Sequence, residues 1–145
     1  MEMTNADKKT IFLYYWHMQT YFQEDPEPEY RFGAMAVGGI GKGLRIRLER
    51  ARLQDWRFDY AFARLKVAVE VEGGVFSGGR HGRGAGYTED LKKYNTATAR
   101  GWLIFRFTPD MLNDDPDLCI GQVLTGLSIH EELLRKIEVT NAPAQ

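Results

Sequence analysis

A single stretch decides the fold of this chain: Lys66-Val67-Ala68-Val69-Glu70-Val71-Glu72-Gly73-Gly74. Side chains alternate along a β-strand, so the three valines point to one side, and Glu70 and Glu72 point together to the other. Two carboxylates about 7 Å apart on one strand face repel each other unless a positive charge lies between them. The simplest such charge is a divalent metal ion, and an ion held by carboxylates can assist the hydrolysis of phosphodiesters.

A second strand precedes this one and supplies a third carboxylate: Trp56-Arg57-Phe58-Asp59-Tyr60-Ala61-Phe62. Alternation places Asp59 opposite Phe58 and Tyr60, which are expected to share a face. A tight turn near Arg64-Leu65 joins the two strands, so we expect Asp59 to converge with the two glutamates on one Mg²⁺ site. The alternative is that the three acids are solvated charges at a sheet edge. Apolar neighbours on both faces of the sheet favour the metal site.

Outward from these strands, helices and strands alternate, which predicts an α/β domain with three layers and a central mixed β-sheet flanked by helices. Predicted helices cover 8–23, 89–100 and 116–137, and a helical turn starts at 108–109. Further strands are predicted at 29–37, 44–53 and 102–107. The first two should form a long hairpin around the glycine-rich turn at 38–43. The last follows a crossover helix and should lie parallel to the Glu70 strand.

The bulk properties predict one domain, residues 1–145, with the hairpin at 33–54 as an insertion and 138–145 as a tail. The net charge of -1 gives no overall attraction to nucleic acid. Any affinity for DNA therefore requires a local basic surface. The single cysteine, Cys119, excludes a disulfide framework and a cysteine-based zinc site.

Targeting signals are absent from the sequence pattern. No apolar run reaches the ~20 residues that cross a bilayer, and the polar start, residues 1–10, does not have the pattern of a signal or transit peptide. We therefore expect no membrane partner. The expected location is cytoplasmic, which includes a virus-encoded protein acting in the cytoplasm of its host.

Basic residues follow the acidic strand in a glycine-rich loop. Residues 73–86 contain seven glycines together with Arg80, His81 and Arg83. Glycine-rich backbone lets DNA approach closely, so the two arginines are candidate phosphate contacts. His81 is a candidate to protonate a leaving oxygen or to donate to a phosphate. The alternative is a loop histidine without a role.

Three further charged residues are candidates. Lys93 lies one helical turn from Asp90, and the two either form a surface ion pair or Lys93 points back over the strands. In the second case it would place positive charge near an attacking water. Lys92 is a candidate DNA contact. Glu29 opens a predicted strand and either reaches the metal and its waters or is a surface glutamate.

These residues together resemble the PD-(D/E)XK nuclease superfamily. The resembling segments are Arg57-Phe58-Asp59-Tyr60, Val69-Glu70-Val71-Glu72-Gly73-Gly74, Gly79-Arg80-His81, Lys93-Tyr94-Asn95 and Gly101-Trp102 leading to Phe105-Arg106-Phe107. Within the superfamily, residues 56–108 are similar to the small single-domain endonucleases related to the very-short-patch-repair enzymes, many of them phage-encoded. The likeness covers about half of the chain.

The resemblance implies a restriction-endonuclease-like fold and a Mg²⁺-dependent cut of DNA phosphodiesters, with Mn²⁺ as a substitute ion. It implies Asp59 and Glu70 as metal ligands, with the carbonyl of Val71 as a further one. Glu72 departs from the pattern, because it stands where the superfamily usually has lysine. Some restriction endonucleases have glutamate there and remain active, so Glu72 stays a candidate ligand.

Two consequences of the resemblance concern residues outside that motif. The positive helper is unassigned, and Lys93 or His81 could supply it. Glu29, in the segment Glu29-Tyr30-Arg31-Phe32, matches the N-terminal glutamate that archaeal-type Holliday junction resolvases use.

The expected substrate is branched DNA, because no extra target-recognition domain is evident and DNA shape is then the feature to recognise. The chain would be a structure-selective endonuclease similar to a Holliday junction resolvase, acting in recombination or repair. Symmetric cutting of two strands implies a homodimer. The alternatives are a sequence- or mismatch-specific nicking or restriction-type endonuclease, a catalytically silent DNA-binding module, which Glu72 favours, and a structural protein whose acidic strand serves stability.

Overall fold

Helices and strands alternate along the chain in the computed structural model, which describes residues 4–20, 23–73 and 84–143. The helices are α1 (Asn5–Gln19), α2 (Phe32–Ala36), α3 (Leu44–Ala51), α4 (Ala85–Ala99), α5 (Pro109–Asp114) and α6 (Pro116–Asn141). The strands are β1 (Glu27–Tyr30), β2 (Phe58–Phe62), β3 (Val67–Val71) and β4 (Leu103–Phe107), with a 3₁₀ turn at Ala63–Leu65 between β2 and β3. The chain is an α/β protein, as its sequence pattern predicts.

The four strands form one mixed sheet in the order β1-β2-β3-β4. β2 is antiparallel to β1 and to β3, whereas β3 and β4 are parallel. A parallel pair requires a crossover, and α4 provides it. Gly101, whose φ of 88° lies in the left-handed region, follows α4 and turns the chain into β4. The predicted parallel pairing is confirmed.

Two hydrophobic clusters hold the helices against the sheet, and β3 contributes alternate residues to them. Its three valines belong to the larger cluster, with residues of α1, α5 and α6. Ala68 belongs to the smaller cluster, with Phe32 of α2 and Ala97 of α4. Because all five residues of β3 are buried, an ionisable side chain in this strand requires a partner. Glu70 is that side chain.

The hairpin predicted at 33–54 is wrong. Residues 32–36 and 44–51 form the helices α2 and α3, and the glycine-rich segment 38–43 connects two helices. Hydrophobic residues alternate with charged ones over 44–48, which fits a strand by pattern, yet only Leu48 among them is buried. Local contacts favour the helix instead: Arg45 and Glu49 form an ion pair one turn apart (3.7 Å), and Arg47 donates to the carbonyl of Val37.

Other predicted boundaries shift by a few residues. α1 begins earlier than predicted, at a capping box in which Thr4 and Asp7 exchange hydrogen bonds. α4 begins at Ala85, with Gly84 as its N-cap residue. The tail expected at 138–145 is wrong in part, because 127–141 contain neither proline nor glycine and α6 continues to Asn141. Within the described ranges no helix is long and apolar enough to cross a membrane.

Candidate functional site

The two central strands separate where Asp59 and Glu70 lie. β2 and β3 pair only as far as Tyr60 and Val69, and the same register would place Asp59 opposite Glu70. At that position the side chains replace the backbone ladder. The Asp59 N–H donates to Glu70 Oε2 (2.9 Å), and the Val71 N–H donates to Asp59 Oδ2 (2.8 Å). We call this separation of β2 and β3, at Asp59 on one strand and at Glu70 and Val71 on the other, the fork. Each of its two strands carries a carboxylate that the backbone of the other strand orients.

The alternation of β2 breaks at the same position. Phe58 packs in the smaller cluster, beside Phe32, whereas Tyr60 packs in the larger cluster. The prediction that Phe58 and Tyr60 share a face is therefore wrong. β1 stays paired with β2 as far as Phe58, and β4 stays paired with β3 as far as Val71. The two halves of the sheet thus diverge, and the change of face falls at Asp59.

Each of these two carboxylates is neutralised by a lysine, and the two lysines lie on different helices. Lys9 on α1 places its Nζ 2.9 Å from Asp59 Oδ1 and 3.1 Å from Glu29 Oε1. Lys93 on α4 forms an ion pair with Glu70 Oε1, and its Nζ lies 5.6 Å from the centre of the Phe58 ring. Of the two alternatives for Lys93, the structure shows the one in which it points back over the strands. Its role in a reaction stays a prediction.

Burial tunes the ionisation of these groups. Glu70 is 5 % exposed and is the one buried charged residue in the described part of the chain. Burial raises the pKa of Glu70, and the ammonium of Lys93 opposes that rise. The Tyr94 hydroxyl donates to Glu70 Oε1 (3.2 Å), and burial together with the charge of Glu70 raises the pKa of Tyr94, which keeps the phenol protonated as a donor. The hydrogen bond to Asp59 raises the pKa of Lys9.

Glu72 points to the same side as Glu70 but has a cation of its own. Arg106 on β4 donates to Glu72 Oε1 (2.6 Å), and its guanidinium carbon lies 4.2 Å from the centre of the Tyr94 ring. Lys93 and Arg106 thus relieve the repulsion between the two glutamates. The predicted convergence of three carboxylates on one point is not observed. Across 4–20, 23–73 and 84–143, no three acidic, histidine or cysteine side chains are grouped closely enough to hold a metal ion.

A pocket of about 320 Å³ opens at the fork. It is lined by Lys8, Lys9, Asp59, Glu70, Val71, Glu72, Gly73, Asp90, Lys93 and Tyr94. All four carboxylate oxygens of Asp59 and Glu70 have a hydrogen-bond or ion-pair partner there. A carboxylate has about four acceptor sites, so both retain capacity for a cation. Mg²⁺ in proteins takes one or two carboxylates and keeps several waters, so this pair of carboxylates fits it.

The structure brings together some of the predicted site residues and separates others. Five of them line the pocket: Asp59, Glu70, Val71, Glu72 and Lys93. Glu29 lies beside the pocket and is connected to Asp59 through Lys9. Lys92 pairs with Glu89 on the exposed side of α4 (3.3 Å), away from the carboxylates. The remaining candidates, Arg80, His81 and Arg83, lie outside the described residues.

Three partners of the carboxylates were not predicted: Lys9, Tyr94 and Arg106. Helical spacing is the sequence feature that could have predicted the position of Lys9. Lys9, Phe12 and Trp16 share one face of α1, and the two aromatic residues are fully buried. That face must lie against the sheet. Tyr94 and Arg106 meet because α4 packs beside β4, and no spacing within a single element reveals such a contact.

Comparison of the chain with family models, with curated proteins and with solved structures gave no match. The resemblance to the PD-(D/E)XK superfamily therefore stays a prediction based on the residues quoted above. The features that bear on function are the fork between β2 and β3, its two carboxylates and the pocket that they line.

Proposed function

We propose that the chain is a divalent-metal-dependent DNA endonuclease with a three-layer, restriction-endonuclease-like fold. The observation that carries the proposal is the fork, where Asp59 and Glu70 orient each other in one pocket and Lys93 is bound to Glu70. Paired carboxylates beside an ammonium are suited to metal-assisted hydrolysis of a phosphodiester. Hydrophobic clusters that involve helices and take alternate residues of β3 support the layered fold.

Asp59 and Glu70 would hold the ion, with the carbonyl of Val71 as a further candidate ligand. When bound there, Mg²⁺ lowers the pKa of a coordinated water and screens charge on the phosphate. The chain's own contribution is preorganisation. The Val71 N–H fixes Asp59, and the Asp59 N–H and the Tyr94 hydroxyl fix Glu70. Side chains held in this way need little reorganisation when the substrate binds.

Lys93 is the positive group that we assign to the reaction. Glu72 occupies the motif position where a lysine is usual in the superfamily, and Arg106 neutralises it. Lys93 reaches the proposed metal ligand Glu70 from α4, and its side chain is only 15 % exposed. Hydrolysis adds a water oxygen to phosphorus, breaks one P–O bond and passes a proton to the leaving oxygen. An ammonium held at this position stabilises the negative charge that develops.

The substrate that we propose is branched DNA, cut by a homodimer in the manner of a junction resolvase. Lys8 and Lys9 line the pocket on the side of α1 and place positive charge where a DNA phosphate would approach. A sequence- or mismatch-specific nicking enzyme is the alternative within the same chemistry.

A cleavage panel tests the proposal. The protein is incubated with Mg²⁺ and labelled four-way junction, flap, mismatched duplex, plain duplex and single strand. We expect symmetric nicking of the junction, and losses of at least about 100-fold in Asp59→Asn and Glu70→Gln, since each removes a ligand. Asp55→Asn is the matched control, because Asp55 pairs with Arg31 and does not line the pocket.

The outcomes of the panel are distinct. Full activity of Asp59→Asn and Glu70→Gln with Mg²⁺, in correctly folded protein, rejects the nuclease site. Cutting at one duplex sequence, or at the mismatch alone, supports the nicking alternative and rejects the branched substrate.

A catalytically silent DNA-binding module is the second candidate function. The observation that favours it is charge balance: Lys9, Lys93 and Arg106 each neutralise one of the three carboxylates. This candidate predicts no cleavage of any substrate in the panel with Mg²⁺ or Mn²⁺. It also predicts DNA binding that weakens steeply as salt is raised.

A further inference from the structure

Lys9 has two carboxylate partners in different surroundings. Its Nζ lies between Asp59, whose side chain is 12 % exposed, and Glu29, whose side chain is 51 % exposed. The register of β1 against β2 pairs Pro28 with Tyr60, which puts Glu29 opposite Asp59 across the two strands. One ammonium is therefore shared between a carboxylate inside the pocket and a carboxylate at its solvent side.

The backbone of Lys9 is held in place, whereas its side chain has room to move. Phe12 and Trp16 are fully buried and anchor α1, and the Tyr60 hydroxyl donates to the Lys9 carbonyl (3.0 Å). The Lys9 side chain itself is 37 % exposed and has a flexible four-carbon stem.

Lys93 contrasts with Lys9 in this respect. Its side chain is 15 % exposed, and its Nζ lies 5.6 and 5.3 Å from the centres of the Phe58 and Tyr94 rings. Cation–π attraction holds an ammonium in such a position, and the surrounding side chains leave it little room to move. The two lysines therefore differ in how readily they can leave their carboxylates.

We propose that Lys9 is an exchangeable counter-ion: it neutralises Asp59 when no divalent cation is bound, and it moves onto Glu29 when a divalent cation binds Asp59. The inference rests on the proposed function, because it requires Asp59 to be a cation ligand. An ammonium left on Asp59 would repel the arriving cation. Glu29 keeps the displaced ammonium paired, so the exchange does not leave a bare charge beside the pocket.

Calorimetric titration of Mn²⁺ into the metal-free protein, without DNA, tests the proposal by affinity alone. The variants are Lys9→Met, which removes the charge and keeps most of the stem, and Lys8→Met, which makes the same change one residue away in the same pocket. We expect Lys9→Met to bind Mn²⁺ about tenfold more tightly than the unaltered protein, because one competing charge is gone. Lys8→Met should stay within about twofold, because Lys8 forms no ion pair within the described residues.

The outcomes separate the two proposals. Equal Mn²⁺ affinity in the unaltered protein and Lys9→Met, or weaker binding in Lys9→Met, overturns the exchange and leaves the cation site standing. Absence of Mn²⁺ binding in both overturns the cation site, and the proposed function with it.

Glu29→Gln tests the receiving partner. It should weaken Mn²⁺ binding several-fold when Lys9 is present and have a smaller effect in the Lys9→Met background, because the two residues are coupled. Equal effects of Glu29→Gln in both backgrounds contradict the transfer of Lys9 onto Glu29.

Discussion

Glu70 lies in a strand whose other four residues are apolar and buried. A carboxylate in such a place is tolerated only when it is paired and hydrogen-bonded, and Lys93, Tyr94 and the Asp59 N–H together meet that need. A buried pair of this kind adds little net stability, yet the loss of one partner leaves an uncompensated charge. Replacing one partner should therefore cause a large loss of stability, which can be measured.

Lys93→Met should lower the free energy of unfolding by about 3 kcal/mol near pH 7, because it leaves the buried carboxylate of Glu70 without its cationic partner. Lys92→Met is the matched control, since Lys92 is exposed and, among the described residues, pairs with Glu89 alone, and its cost should stay below about 0.5 kcal/mol. Urea denaturation measures both. The double variant Glu70→Gln/Lys93→Met should recover part of the stability that Lys93→Met loses. Equal costs of Lys93→Met and Lys92→Met would contradict the structure.

The pKa of Glu70 predicts the sign of a pH effect on stability. Burial raises the folded pKa above the ordinary value of 4.5, so the folded state binds more protons than the unfolded state between 4.5 and the folded pKa. The contribution of Glu70 is therefore fully present below pH 4.5 and is lost as the pH rises through the folded pKa. Asp55 and Glu131 act with the opposite sign, because hydrogen bonds from arginines lower the pKa of each.

Comparison with Glu70→Gln isolates that effect from the other acids. The unfolding free energy of the unaltered protein minus that of Glu70→Gln should fall as the pH is raised above 4.5. Carbon-13 NMR titration of the Glu70 carboxyl gives the midpoint directly. A midpoint below 4.5 would show that Lys93 outweighs burial.

Among the elements, α6 contains two glycines that differ in their surroundings. A Cβ at Gly126 would lie 2.7 Å from Cε2 of Phe105, whereas a Cβ at Gly121 would meet nothing within 4 Å. Gly121→Ala should therefore stabilise the protein by about 0.5–1 kcal/mol, as expected for alanine in a helix. Gly126→Ala forces the Phe105 ring to move and should give a net loss of about 1 kcal/mol. Thermal unfolding of both variants checks the contrast, and equal shifts would place α6 further from β4.

Elements with strong local signals were predictable from the sequence, and those that depend on their neighbours were not. The strand β3, the 3₁₀ turn before it and the glycine that ends α4 follow from alternation and turn chemistry. Residues 44–48 alternate like a strand, but the segment 44–51 forms a helix with a local ion pair between Arg45 and Glu49. Period alone cannot decide so short a segment.

The site residues also divide into those predictable from local sequence and those that depend on packing. The direction of Glu70 and Glu72 followed from alternation within one strand. The three cations that neutralise the carboxylates come from α1, α4 and β4, so their identities depend on how distant segments pack. The fork itself, and the change of face at Asp59, arise from two strands acting together and have no signature in either strand alone.

For the molecule as a whole, the fork receives side chains from helices that belong to different hydrophobic clusters. Lys9 reaches it from α1, which packs in the larger cluster, and Lys93 reaches it from α4, which packs in the smaller. The net charge of the chain is only -1, so attraction of a cation to this place depends on the charges nearby and not on the charge of the whole chain. A cation bound there contacts groups that both halves of the sheet position, and its binding free energy must therefore appear in global stability.

Mg²⁺ should raise the midpoint of thermal unfolding, because the proposed site exists in the folded fork and not in the separated strands of the unfolded chain. At an ion concentration of about 100 times Kd the gain is about 2.7 kcal/mol, which corresponds to roughly 5–10 °C for a chain of this size. Asp59→Asn should abolish the increment, whereas Asp55→Asn, altered only outside the pocket, should retain it. Sodium chloride at matched ionic strength corrects for screening of the surface ion pairs. An increment of the same size in Asp59→Asn would show that Mg²⁺ stabilises the protein elsewhere and that the fork is not its site.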